Sequence, residues 1–176
     1  MTLQKMAIKG DVLHVGCSHT LLPIWFDASA RETRVDLDPS CNPDIVASIL
    51  DLGEIGEYDI VYNCHVLEHV YPHEVQTALS EFKRVLRVGG HVMIFVPDLE
   101  GISANEEVLY VSEGGPITGW DLFYGGRMLV KDNLYMAHHT GFTSEKMEQE
   151  LSKAGFTDIS LTRLSCANLM AVAKKG

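Results

Sequence analysis

No apolar stretch in this sequence approaches the roughly 18 residues that a membrane-spanning helix requires, so no transmembrane segment is expected. The start, MTLQKMAIKG, lacks the apolar core of a signal peptide. Cations are also scarce. Fourteen Lys and Arg stand against 24 Asp and Glu, for a net charge of −10, and no basic run is present. Nucleic-acid binding relies on neutralising phosphates with such cations, so the charge argues against a polyanion partner and no nucleic acid is expected. The four cysteines (Cys17, Cys41, Cys64 and Cys166) are scattered and form no C-x-x-C pair. They read as free thiols of a reducing compartment, not as a zinc ribbon, and a cytoplasmic location is expected. Internal repeats and low-complexity segments are missing too, and 176 residues suit one domain, residues 1–176.

What is present is an alternation of short apolar runs with helical patterns, the signature of an α/β parallel sheet. The runs are DVLHVG (11–16), TRVDLD (33–38), a weak DIVA (44–47), YDIVYNC (58–64) and HVMIFV (91–96). The fourth is continuous and rich in β-branched and aromatic residues, as a strand covered on both faces should be. Between the fourth and fifth runs, Val75, Ala78, Leu79, Phe82, Val85 and Leu86 recur at helical spacing, with Pro72 suited to a first turn and Gly89-Gly90 to a glycine stop. A second helix is expected from Thr143 or Ser144 to Gly155, followed by a hairpin of FTDISL and ANLMAVA. About six residues separate the second and third runs, too few for a crossover helix. Residues 98–142 are Gly- and aromatic-rich, with one short helix expected at SANEEVLYV; a segment this long reads as a lid or binding loop.

In open α/β sheets the ligand sits outside the carboxyl ends of the strands. Those ends carry Gly16-Cys17-Ser18, Asp36, Asp51-Leu52, Asn63-Cys64-His65 and Pro97-Asp98. A pyrophosphate site wants G-x-G-x-x-G after the first strand, but Ser18 and Leu21 occupy the second and third glycine positions. An NAD-linked oxidoreductase is therefore disfavoured, while a nucleoside cofactor without a pyrophosphate is not. Asp36 follows Gly16 at about the 20-residue spacing of a ribose-binding acid. Asp51 either caps a turn or accepts from a purine amine.

The stretch HVLEHVYPHE (65–74) contains His65-x-x-Glu68-His69, the H-x-x-E-H pattern of inverted zinc peptidases. That reading needs a stable helix and a third ligand. Here a buried strand precedes His65 and Pro72 starts a new helix, so only one or two turns remain and no third ligand is signalled. The stretch reads instead as the floor of a cleft.

These residues together resemble the class I S-adenosylmethionine-dependent methyltransferases, and more narrowly a small type-11-like bacterial group of largely unassigned substrate. The resemblance covers nearly the whole chain: VLHVGCS, VDLDP, ILDLGEIGEYDIVY, CHVLEHV, HHTGFTSEKMEQELSKAGF and, most specific, RVLRVGGHVMIFVPD. It implies a Rossmann-like doubly wound, mostly parallel sheet of order 3-2-1-4-5-7-6 with the last strand antiparallel, and a lid-like insertion (98–142) after strand 5. It implies S-adenosylmethionine as cofactor and S-adenosylhomocysteine as product. Gly16, with Cys17 and Ser18, would turn beside the methionine part. Asp36 would take the ribose hydroxyls, Leu37 would pack on adenine, Asp51 would accept the adenine amine and Leu52 would offer a backbone N–H. Cys64 and His65 would line the end of the fourth strand. The departures are His14 in place of an acid, Cys17 and Ser18 in place of small glycines, Val88 in place of proline, and the short link after Asp36 that drops a helix.

The implied activity is methyl transfer to oxygen or nitrogen of a small or medium-sized acceptor. The alternative is a non-catalytic protein of the same fold that binds the cofactor as a regulator or partner. His69 and His138 are the candidate bases, with His139 nearby. Trp120, Tyr124, Arg127 and Asp98 are candidates for shaping the acceptor pocket. Some relatives hold Mg²⁺ with an E-x-x-E-H motif, but His65 in place of the first acid disfavours a hard cation, and no metal is expected.

Overall fold

The computed structural model describes residues 8–112 and 114–176. A seven-stranded sheet organises the chain: β1 (Asp11–Val15), β2 (Arg31–Asp36), β3 (Ile45–Val46), β4 (Tyr58–Cys64), β5 (Leu86–Pro97), β8 (Phe156–Leu164) and β9 (Asn168–Lys175). Its order is β3-β2-β1-β4-β5-β9-β8. A separate hairpin, β6 (Val108–Ser112) and β7 (Gly115–Thr118), lies in the insertion and shifts the numbers of the last two strands. Apart from that shift the order is the expected one. Strands β1 to β5 pair in parallel, while β9 runs antiparallel to both β5 and β8.

Among the described residues four α-helices accompany the sheet: α1 (Val75–Val85), α2 (Gly119–Tyr124), α3 (Arg127–Asp132) and α4 (Ser144–Lys153). The helical spacing in α1 turns Val75, Ala78, Leu79, Phe82 and Val85 inward, all fully buried or nearly so. Met147 and Leu151 of α4 join them in one core with Leu13, Val15, Val61, Ile94 and Ala171 of the sheet. Burying such side chains contributes about 1.5–3 kcal/mol each. Thr143 caps α4 by accepting from the Lys146 N–H. The opposite face of the sheet (Val12, Ile60, Tyr62, Met93, Phe95, Met170) carries no helix among the described residues. Phe26, Leu22 and Trp25 of the β1–β2 link cover it. The class is therefore the expected α/β fold, but the expected double winding is corrected: among the described residues the β1–β2 and β2–β3 links hold no α-helix, so α1 and α4 pack on one face only.

Several local expectations need correction. The helix α1 stops at Val85, because Leu86 is already extended and starts β5. Gly89-Gly90 lie within β5, where pairing with β4 jumps from Tyr58↔Leu86 to Ile60↔His91 and residues 87–90 bulge out. The SANEEVLYV stretch is no helix: its VLYV part is strand β6, as its β-branched and aromatic content favours once β7 is there to pair with. The short link after β2 holds a single 3₁₀ turn, Pro39–Cys41, capped by Asp38, and β3 is a two-residue stub. His14 is buried in the helix-free face, hydrogen-bonded to Glu32 Oε1 at 2.7 Å and tilted against Tyr62. Burial lowers its pKa despite the Glu32 carboxylate. Residues 1–7 of the expected leaderless start lie outside the described residues.

Candidate functional site

The carboxyl ends of β1, β2 and β4 lie side by side, because those three strands are adjacent and parallel. Gly16 ends β1 with φ 69°, and a Cβ there would collide with the Val66 methyl group. Only glycine satisfies both the left-handed backbone and the close approach. Its N–H and that of Cys17 donate to the Val35 carbonyl, at 2.8 and 3.1 Å. Ser18 is also left-handed (φ 45°), and its N–H donates to Asp36 Oδ2 at 2.8 Å. Asp36 Oδ1 accepts from the Asp38 N–H at 2.9 Å. The acid therefore ties the first turn to its own. A carboxylate has about four acceptor positions, so roughly two stay open. Beside it, Leu37 is 53% exposed, an apolar surface that a flat base could cover. Cys17 and Cys41 are buried close to Asp36. Burial pushes the Cys17 thiol up to about 11, which leaves it protonated and inert at neutral pH.

The second acidic segment splits. Asp51 is exposed, and its Oδ1 caps a turn by accepting from the Gly53 N–H at 3.0 Å. Leu52 is 1% exposed, and its N–H already donates to Glu81 Oε2 at 2.8 Å. The expectation that Leu52 offers a free backbone donor is corrected: α1 supplies its partner.

At the end of β4, Asn63 is fully buried. Its Nδ2 donates to the Val15 carbonyl, while its Oδ1 has no partner. Cys64 is half-buried and its thiol pKa is raised by burial. His65 follows with φ 56°, a strained conformation for a side chain other than glycine. Residues Leu67–His69 then form one 3₁₀ turn, with no room for the two-turn helix of a zinc peptidase. His65 Nδ1 lies 3.1 Å from Oε1 of Glu68, which is 1% exposed; Glu68 Oε2 has no partner. Burial works to lower the His65 pKa, but the Glu68 carboxylate outweighs it and holds the value above the ordinary one.

The insertion returns onto this turn. The His139 and Thr140 N–H groups donate to the Glu68 carbonyl at 2.8 and 3.0 Å, and Thr140 Oγ1 donates to the Val70 carbonyl at 2.6 Å. His69 Nδ1 lies 3.0 Å from the Ala137 carbonyl, and His138 Nδ1 lies 2.8 Å from the Leu122 carbonyl. A carbonyl only accepts, so both imidazoles carry Nδ1–H and keep their Nε2 lone pairs. Burial depresses the His138 pKa against that hydrogen bond. The structure thus brings together both sequence-selected bases, His69 and His138. His139 instead is exposed and stacks on Tyr71.

The expected pocket formers do other work. Arg127 pairs with Glu106 and Asp121 inside the insertion, and Asp98 is buried against Arg163. Trp120 and Tyr124 stack on each other, with Tyr124 exposed. A cavity of about 580 Å³ does lie beneath the insertion, lined by Ile102, Leu109, Tyr110, Leu164, Asp98 and Arg163. Its lining comes from β8, the residues after β5 and the β8–β9 link, and does not include Asp36 of β2. Sequence reasoning placed Asn63 at a strand end without giving it a role, although it is the one amide of β4, and named Glu68 only within the H-x-x-E-H pattern.

With this geometry in place, comparison with known proteins supports the resemblance. Residues 13–94 match the family model of a methyltransferase domain. No curated protein matches the sequence. Among solved structures, the pyocyanin biosynthetic protein PhzM superposes with a TM-score of 0.64 at 15% identity, over 99% of this chain and 54% of its own. The Burkholderia thailandensis 1,6-didemethyltoxoflavin-N1-methyltransferase, with bound 1,6-didemethyltoxoflavin and S-adenosylhomocysteine, gives 0.62 at 18%, over 96% of this chain and 72% of its own. Human N-acetylserotonin methyltransferase in complex with S-adenosylmethionine gives 0.67 at 13%, over 99% and 50%. The chain thus spans about half the length of the first and third. It has the class I methyltransferase fold.

Proposed function

We propose that this chain, which carries a methyltransferase domain in the class I fold, moves a methyl group from S-adenosylmethionine to oxygen or nitrogen of a small or medium-sized acceptor. The observation that carries the reading is Asp36: it closes β2, is hydrogen-bonded to the turn after β1, and retains open acceptor positions beside exposed Leu37. The residues fit the cofactor on the structure's own terms. Asn63 Oδ1 is a buried acceptor lacking a donor at the methionine end, and a carboxylate next to an apolar surface suits a ribose and its base.

In this reading Asp36 accepts from the ribose hydroxyls, and Gly16, Cys17 and Ser18 form the turn beside the amino acid part. Leu37 covers adenine and the free Asp51 oxygen accepts its amine. Asn63 takes the ammonium, and Cys64 and His65 wall the sulfur side. The cofactor, when bound, supplies an activated methyl with its own leaving group, so the protein's tasks are placement, exclusion of water and removal of the acceptor's proton. In this reading the Nε2 lone pairs of His69 and His138 take that proton, which is supported by the anchoring of each ring through Nδ1 to a backbone carbonyl. The insertion 98–142 belongs to the same domain and closes over the acceptor, a role supported by its hydrogen bonds to the 68–70 turn.

Among the described residues no helix is long and apolar enough to cross a membrane, and the four cysteines are free. The free thiols support a cytoplasmic location. Calorimetry with S-adenosylmethionine, S-adenosylhomocysteine and NAD tests the reading: the first two should bind and NAD should not. Tight NAD binding would overturn it.

A further inference from the structure

Cys17 follows β1, Asp36 ends β2, and Cys41 closes the 3₁₀ turn after β2. The fold brings one donor atom of each within 4.8 Å of the other two. Both thiols are free and buried, at 0% and 5% exposure, so two sulfur atoms from separate segments meet beside one carboxylate. The Ser18 and Asp38 N–H groups hold that carboxylate in place, and roughly two of its acceptor positions stay open. Hydrogen-bonded outer partners of this kind orient carboxylate ligands around metals. Arg34 donates through Nη2 to the Ser18 carbonyl at 2.6 Å, and its charge favours the Cys17 thiolate.

We propose that Cys17, Asp36 and Cys41 bind one metal ion of the zinc and cadmium class. Two thiolates select such an ion, whereas magnesium and calcium prefer all-oxygen surroundings. Sulfur and oxygen donors on a tetrahedral zinc ion lie about 3.6–3.8 Å apart, so the cluster closes around one by movements of about 1 Å. Cys41 Sγ donates to the Asp38 carbonyl at 3.0 Å, and it turns away from that oxygen to bind. Burial above all, with the Asp36 charge, pushes both thiols up, Cys17 to about 11. A cation reverses that balance: it displaces both protons, and the carboxylate that disfavours a bare thiolate attracts the ion. Asp36 is half-buried, which leaves the ion a path from the cleft. The site goes beyond methyl transfer and rests on that reading in one respect only: the ion and the cofactor's ribose share Asp36 and therefore compete.

The test uses tag-free full-length protein, stripped with a chelator, kept reduced with a phosphine and titrated with Cd²⁺ and Zn²⁺. Calorimetry and ultraviolet absorption are the readouts. One equivalent should bind, and Cd²⁺ should produce a thiolate charge-transfer band. Because two protons leave, affinity should rise by up to about a hundredfold per pH unit below the thiol pKa. Cys41→Ala and Cys17→Ala should each diminish the band and weaken binding at least about tenfold. Cys166→Ser, which changes the exposed thiol, should do neither. Circular dichroism checks that each variant is folded, and the Cys41→Ala result decides if Cys17→Ala unfolds. Absence of stoichiometric binding, the outcome if both cysteines are only small apolar core residues, would overturn the proposal. So would a band that survives in Cys41→Ala or vanishes in Cys166→Ser. In a second titration, saturating Zn²⁺ should weaken S-adenosylmethionine binding about fivefold or more, and undiminished binding would overturn the sharing of Asp36. The first titration contains no S-adenosylmethionine, so a protein that takes Cd²⁺ but never the cofactor refutes the methyl-transfer reading and leaves the metal site standing.

Discussion

His69 on the turn after β4 and His138 on the returning insertion face each other with ring centroids 5.0 Å apart and planes inclined at 64°. Each is locked by its Nδ1 onto the insertion's own backbone, at Ala137 and Leu122. The post-strand turn and the insertion are therefore one structural unit, and the chemistry of the site depends on both.

Replacing Asp36 with Ala should weaken S-adenosylmethionine binding by about 1–3 kcal/mol, measured by calorimetry, because a hydrogen-bonding acid is lost. The same change strands the Ser18 and Asp38 N–H groups, so a modest drop in melting temperature should accompany it. An unchanged affinity would sink the ribose assignment.

Gly16→Ala places a methyl group on Val66 in a left-handed backbone. The expected loss of stability is about 1–3 kcal/mol in urea unfolding, from strain and collision together. In a Val66→Ala background the methyl collision is removed, leaving the strain, about 1 kcal/mol, and a tight approach to the residue 66 Cβ at 3.1 Å, so the loss should shrink without vanishing. Additive losses in the double variant would show that Val66 is not the obstacle.

How much of this was legible beforehand follows from the range of each interaction. Strand β4, helix α1 and helix α4 were readable because burial periodicity and caps are local properties of sequence. Helix α1 was read too long because Leu86, apolar and in phase, looks helical until β4 pairs with it. Strand β6 was misread because its partner β7 is what selects extended over helical backbone. At the site, Gly16 and Asp36 stood out by spacing along one chain segment. The occupied Leu52 N–H, the orphaned Glu68 oxygen and the meeting of His69 with His138 depend on contacts between distant segments, which no local pattern reports.

The capping box of α2 gives a pH-dependent prediction. Burial works to raise the Asp121 pKa, but the Thr118 hydroxyl and N–H and the Arg127 groups outweigh it and hold it at about 2. A depressed carboxylate contributes stability that is present above its unfolded pKa and lost as pH falls through the folded one. The insertion should therefore lose about 2 kcal/mol between roughly pH 4 and pH 2. Limited proteolysis by an acid-active protease should begin to cut residues 106–127 in that window. Asp121→Asn should flatten the dependence, and a parallel acid profile in that variant would assign the effect elsewhere.

The clamp between the insertion and the post-strand turn can be measured directly by hydrogen exchange. The His139 and Thr140 amides donate to the Glu68 carbonyl, and the Thr140 hydroxyl donates to Val70. Both amides should therefore exchange slowly although His139 is exposed. Thr140 is 5% exposed, so Thr140→Val keeps its shape and volume but leaves the Val70 carbonyl without this donor. Losing that bond costs about 1 kcal/mol, which corresponds to roughly fivefold faster opening. The increase should be confined to residues 134–142 and absent from β4 and α1, since these are held by the main core. Faster exchange throughout the sheet would mean that Thr140 supports global stability and that the insertion is not separately hinged.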